Sequence, residues 1–152
     1  MPSANVELLP KTAHPLVIRT DFENQQVWKT IWRLIRTPVP VPGDTLHALV
    51  ERLEDAAFRN CSQEDLLARV PGDYNHSFLI VADSTGMTHP DFPLLVIDLS
   101  ADRGRSFRAV PSAIQSIENN LSIGNMAFSE FANAVDHHGI FRGFPSPWDL
   151  VL

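Results

Sequence analysis

Cysteine is almost missing from this chain: Cys61 stands alone among 152 residues. A single thiol excludes an internal disulfide framework and a cysteine-built zinc site. Basic charge is also scarce. Twelve Lys and Arg face eighteen Asp and Glu, a net charge of -6, which argues against a nucleic-acid surface and against an anionic membrane partner. No stretch approaches the ~18 apolar residues of a membrane span, and the start lacks the basic-then-apolar pattern of a secretory signal. The expected setting is therefore cytoplasmic, with Cys61 reduced. Motifs of strong chemistry are missing too. There is no GxSxG elbow, no P-loop, no dinucleotide fingerprint and no HExxH. A covalent hydrolase, a nucleoside-triphosphate enzyme and a Rossmann oxidoreductase are disfavoured, and neither a metal nor a cofactor is expected.

What is present suits one core. Hydrophobic residues make up 44% of the chain, enough for a single domain over 1–152 with its core at about 16–144 and an extended tail over 145–152. Leu16-Val-Ile-Arg-Thr-Asp21 reads as a first strand. Val27, Trp28, Ile31, Trp32, Leu34 and Ile35 fall on one helical face, and Pro38 ends that helix. Residues 37–44, with three prolines and a glycine, read as a stiff loop. Over 45–58 the periodicity of Leu46, Leu49, Val50 and Leu53 favours a helix over a strand. Ser62 and Asp65 form a capping box that opens a short helix. Phe78–Asp83 and Leu94–Leu99 are nearly continuous apolar runs, as in strands covered on both faces. The short link between them makes the pair antiparallel, and Ser106–Val110 extends it into a meander. Two more helices come after it, one with Ile114, Ile117 and Leu121 inward, the other with Phe128, Phe131 and Val135. The fold class is α/β: a mixed sheet of about five strands with an antiparallel C-terminal meander, packed by about four helices.

Several of these residues, taken together, look familiar. Arg19-Thr-Asp-Phe22, the Trp28 helix, Pro93-Leu-Leu-Val-Ile-Asp98, Phe107-Arg108, Asn119-Asn-Leu121 and Gly139-Ile-Phe-Arg-Gly-Phe144 resemble a small microbial family classed as a domain of unknown function. The resemblance covers roughly Leu16 to Phe144. It implies an α/β domain in which residues 46–55 form a strand, against the periodicity. It implies no activity. The proline loop and the tail depart from the pattern.

Chemistry has few candidates. Asp21, Asp83 and Asp98 each end an apolar strand. If the first and third strands run parallel, Asp21 and Asp83 share the sheet edge where open α/β folds bind ligands, and Asp98 lies at the other. Each aspartate could equally cap the next turn or helix. Arg19 and Arg108 lie inside strands, where charge needs a partner or a cavity. They could grip a substrate carbonyl or carboxylate. They could also be tied in structural ion pairs, Arg108 with Asp98 or Arg19 with a helix carboxylate. His137, beside His138 and Arg142, is of the residue type that serves as a general base. A helix C-terminus explains it equally well. Trp28, Trp32, Phe141 and Arg142 are candidates to line an aromatic pocket, although core packing accounts for most such residues. His14, His47, His76 and His89 are isolated and read as surface or loop residues.

Two functions fit. The first is a cofactor-independent enzyme of the cyclase or isomerase type, biosynthetic in role. It acts on an apolar small molecule, with Asp21, Arg19, Arg108 and His137 as its catalytic groups and an aromatic lining. The second is a non-catalytic protein-interaction module of the inhibitor or immunity kind. A homodimer is compatible with both. An enclosed cavity lined by Arg19 or Arg108 would favour the enzyme; a filled core would not.

Overall fold

A computed structural model describes residues 6–144. The expected tail, 145–152, lies outside the described residues. Strand β1 (Leu16–Arg19) leads into helix α1 (Gln25–Arg36). Then come the short strands β2 (Val39–Val41), β3 (Asp44–Leu46) and β4 (Glu51–Leu53) and helix α2 (Gln63–Ala68). Strand β5 (Phe78–Ala82), helix α3 (Ser84–Thr88), β6 (Leu94–Asp98) and β7 (Ser106–Ala109) are next. Helices α4 (Ile114–Leu121) and α5 (Phe128–Ala132) and the two-residue β8 (Ile140–Phe141) complete the chain.

Six strands form one mixed sheet in the order β4-β1-β5-β6-β7-β8, and β2 and β3 form a separate hairpin. β1 runs parallel to both β4 and β5, whereas β5, β6 and β7 form the expected antiparallel meander. β8 adds parallel to β7. The α/β class and the antiparallel C-terminal part stand as expected, with six strands for about five and five α-helices for about four.

The unbroken apolar runs have the physical cause expected of them. Val17, Phe78, Ile80, Ala82 and Val96 face one core with Trp28 and Ile31 of α1, Ile114 and Ile117 of α4, and Phe128 and Phe131 of α5. Leu16, Ile18, Leu79, Val81 and Ile97 face a second core with Leu9, Phe58 and Leu66. Alternation along each strand thus feeds two buried faces, so no polar face is left to interrupt the pattern.

Some local readings change. The helix that periodicity suggests over 45–58 is not formed. Asp44–Leu46 and Glu51–Leu53 are two short strands, so the single strand that the family resemblance implies over 46–55 is formed only at Leu46 and at 51–53. The stiff loop is half hairpin, with Val39 opposite Leu46 and Gly43 at a φ of 78° in the turn. The capping box at Ser62 forms as read. The late helices begin at Ile114 and Phe128, with Ala113 and Ala127 at their N-caps.

Candidate functional site

The C-terminal edge of the parallel strands gathers the predicted polar residues, and it satisfies them internally. Arg19 is 2% exposed. Its Nε donates to the Asp21 carbonyl at 2.8 Å, and Nη1 donates to Gln25 Oε1 at 2.6 Å and Glu54 Oε2 at 3.3 Å. Its guanidinium also lies 4.6 Å from the Phe22 ring centre. Arg108 grips Asp83 with both arms, at 2.9 and 2.7 Å, and donates to the Pro93 carbonyl at 2.9 Å. Register explains this pairing. Val81, Leu95 and Arg108 form one row across β5, β6 and β7, and Asp83 lies two residues beyond Val81 on the same face. The partner of Arg108 is therefore Asp83, not Asp98, which sits at the opposite edge and caps the turn at Ser100 and Asp102.

Both edge aspartates also cap the backbone just after them. Asp21 accepts the Glu23 N–H at 2.8 Å, and Asp83 accepts the Gly86 N–H at 3.0 Å. They share a small hollow of about 220 Å³ with Thr20, Asn60, Cys61, Ser84 and Thr85. Among the described residues no arginine lines that hollow. Burial pushes the Cys61 thiol up from its ordinary pKa, which disfavours a thiolate there.

The other predicted site residues lie apart. Trp28 and Phe141 are core, Phe141 against Phe131 and Phe107. His137 is exposed, its ring 3.9 Å from that of His138. Arg142 is held at the surface by Asp136 at 2.7 Å and Asp91 at 3.1 Å. That guanidinium, with the backbone N–H groups of Ile140 and His138, keeps the Asp136 carboxyl well below the usual carboxylate range. Trp32 is half-buried, stacked on Trp28 at the edge of the core and flanked by Arg36 and Arg52. The eight residues do not converge on one cavity.

A larger cleft opens at the opposite edge of the sheet, with a volume of about 690 Å³. His14, His47 and His76 line it, with Leu49 and, from α4, Glu118, Asn119 and Ile123. These histidines are thus not the isolated loop residues that the sequence suggests. Each lies in the loop just before a strand, β1, β4 or β5, and those three strands are parallel. Their entry loops must therefore meet at one edge, which is the signal that periodicity along the chain does not carry.

Glu118 is the unusual group in this cleft. It is 3% exposed, yet it lines the opening. Its Oε1 accepts the Leu49 N–H at 2.7 Å and the Asn119 side-chain amide at 2.8 Å. That amide also donates to the His47 carbonyl at 2.9 Å, and the Gln115 amide donates to Asn119 Oδ1 at 2.9 Å. Among the described residues, Glu118 Oε2 accepts no hydrogen bond. Oε2 is not fully buried, so water in the cleft can fill this acceptor until a guest takes its place. The rim is apolar: Leu49 is 52% and Ile123 77% exposed. Among the described residues no cluster of three His, Cys, Asp or Glu is placed to hold a metal.

The family model described as a domain of unknown function (DUF6924) matches residues 14–144. The chain belongs to that family. A search of curated proteins finds no match. The DUF6924 match spans the sheet, both of its polar edges and every residue of the large cleft except Ala13. It brings no activity with it, so the chemistry rests on the site. No helix of the described residues is long and apolar enough to cross a membrane.

Proposed function

We propose that this DUF6924 domain binds a partly apolar small molecule in the histidine-lined cleft, and that Glu118 receives an N–H, O–H or acidic C–H of that molecule. The single observation behind this reading is the open Oε2 of a carboxylate that is otherwise buried. Leu49 and Ile123 supply apolar contact at the rim, and a guest covering them removes exposed hydrocarbon from water. The chemistry this supports is acid–base catalysis of the isomerase or cyclase type. Glu118 takes a proton from one atom of the substrate and returns it to another, so no co-reactant is consumed. The setting remains cytoplasmic in this reading. The role considered for Arg19, Asp21 and Arg108 passes to this cleft, because their polar groups are engaged by the fold itself.

Benzamidine, an amidinium on an apolar ring, is a direct probe. Amide shifts in a ¹⁵N NMR titration should cluster on Leu49, Glu118, Asn119 and Ile123, and the Glu118→Gln variant should bind at least tenfold more weakly. Shifts elsewhere, or equal binding by the variant, would overturn the proposal.

A further inference from the structure

Helix α1 carries Lys29, Arg33 and Arg36 and no acid at all. Positions 29, 33 and 36 stand one above the next on a single face, so like charges crowd each other. Arg52 of β4 approaches from the side, its guanidinium 5.6 Å from the Trp32 ring centre, and Arg36 lies 5.9 Å from the same ring. Together with Thr37 and Pro38 these residues line a groove of about 440 Å³. One third of the chain's twelve Lys and Arg thus meet in a single groove, although the chain as a whole is acidic.

Among the described residues Lys29, Arg33 and Arg36 form no ion pair. Among the same residues Arg52 has Glu54 alone, at 3.9 Å, a carboxylate that Arg19 also uses. The C-terminal end of the α1 dipole favours cations in the last turn, which accounts for Arg33 and Arg36. It does not account for Lys29, in the middle of the helix, or for Arg52 on a different element. At about 0.1 M salt, screening acts over ~10 Å, so the net negative charge of the remaining surface does not cancel this local field.

We propose that this groove binds a compact, multiply charged phosphate compound. Three guanidiniums offer paired N–H forks that match phosphate oxygens, and the ammonium of Lys29 adds a fourth donor group. The site is independent of the Glu118 cleft and calls for the opposite ligand charge.

Inorganic pyrophosphate and citrate, titrated separately at equal ionic strength, test the idea on the full chain. Pyrophosphate should shift the amide signals of Lys29–Thr37 and Arg52. An Arg33→Gln/Arg36→Gln variant should weaken its binding at least tenfold while the Glu118 cleft still binds benzamidine as before. Raising salt from 50 to 200 mM should weaken it several-fold. Citrate binding as tightly as pyrophosphate would overturn the phosphate assignment. Shifts scattered over Arg59, Arg69 and Arg103, or a variant indistinguishable from the parent, would overturn the site.

Discussion

Replacing Glu118 by alanine and by glutamine separates the two tasks assigned to its carboxylate. Alanine removes both hydrogen bonds to Oε1, from the Leu49 N–H at 2.7 Å and the Asn119 amide at 2.8 Å. Hydrogen bonds to a charged acceptor contribute about 1.5–3 kcal/mol each. Two facts lower the sum. Asn119 keeps its bond to the His47 carbonyl, and the Leu49 N–H stands at the cleft rim, where water can reach it. The expected cost of Glu118→Ala is therefore about 2–3 kcal/mol, or roughly 4–12 °C in Tm for a chain of this size. Glutamine keeps an acceptor in the place of Oε1 and loses only the charge, so about 1 kcal/mol is expected. Urea denaturation at pH 7, with the slope of the transition unchanged, reads both values. If glutamine costs as much as alanine, the fold itself needs the charge on the second oxygen. The open acceptor would then belong to stability rather than to a guest.

Arg108→Met strands Asp83 without its two-armed partner; both side chains are 24% exposed, so the cost should be about 2 kcal/mol, short of the ~3–5 typical of full burial. Adding Asp83→Asn should restore part of it in a double-mutant cycle, with benzamidine binding unchanged throughout; a coupling near zero would refute the ion pair's role. Tyr74 is the chain's single tyrosine, and burial pushes its phenol up to about 12, so absorbance at 295 nm should rise around pH 12 in the folded protein and around pH 10 after unfolding. Because the folded-state value is the higher one, stability should fall as pH climbs past 10; a folded-state midpoint near 10 would refute the burial. Gly86→Ala would place a Cβ 3.0 Å from the Pro93 carbonyl oxygen, which already accepts from Arg108. It should cost about 1–2 kcal/mol despite alanine's better helix propensity, and a neutral thermal-melt result would refute the close approach.

The parts legible in the sequence were those fixed by local chemistry. The runs Phe78–Asp83 and Leu94–Leu99, the amphipathic α1 and the Ser62 capping box needed only neighbours along the chain. Residues 45–58 misled, because the spacing of Leu46, Leu49, Val50 and Leu53 suits a helix, while the hairpin turn at Gly43 and the pairing of Glu51–Leu53 with β1 set extended backbone. Tertiary pairing outweighed propensity there. Helix α3 and strand β8 are too short to leave a periodic trace. The arginine question was posed by the sequence but answered by register. Glu54 lies 35 residues from Arg19, and Asp83 lies 25 from Arg108. The large cleft stayed hidden for the same reason, since His14, His47 and His76 have nothing in common until three strands are known to run the same way.

That common direction also has a bearing on how the molecule assembles. β5, β6 and β7 succeed one another with short links, but β1 must find Ile80 from Val17 and Arg52 from the same residue, each across a long stretch of chain. The entropy of closing such loops places the parallel pairings late, after the meander has formed. By that entropy the three entry loops around Glu118 are expected to come together after the meander has formed. A molecule seated between them would act as a latch on a late-closing seam of the protein.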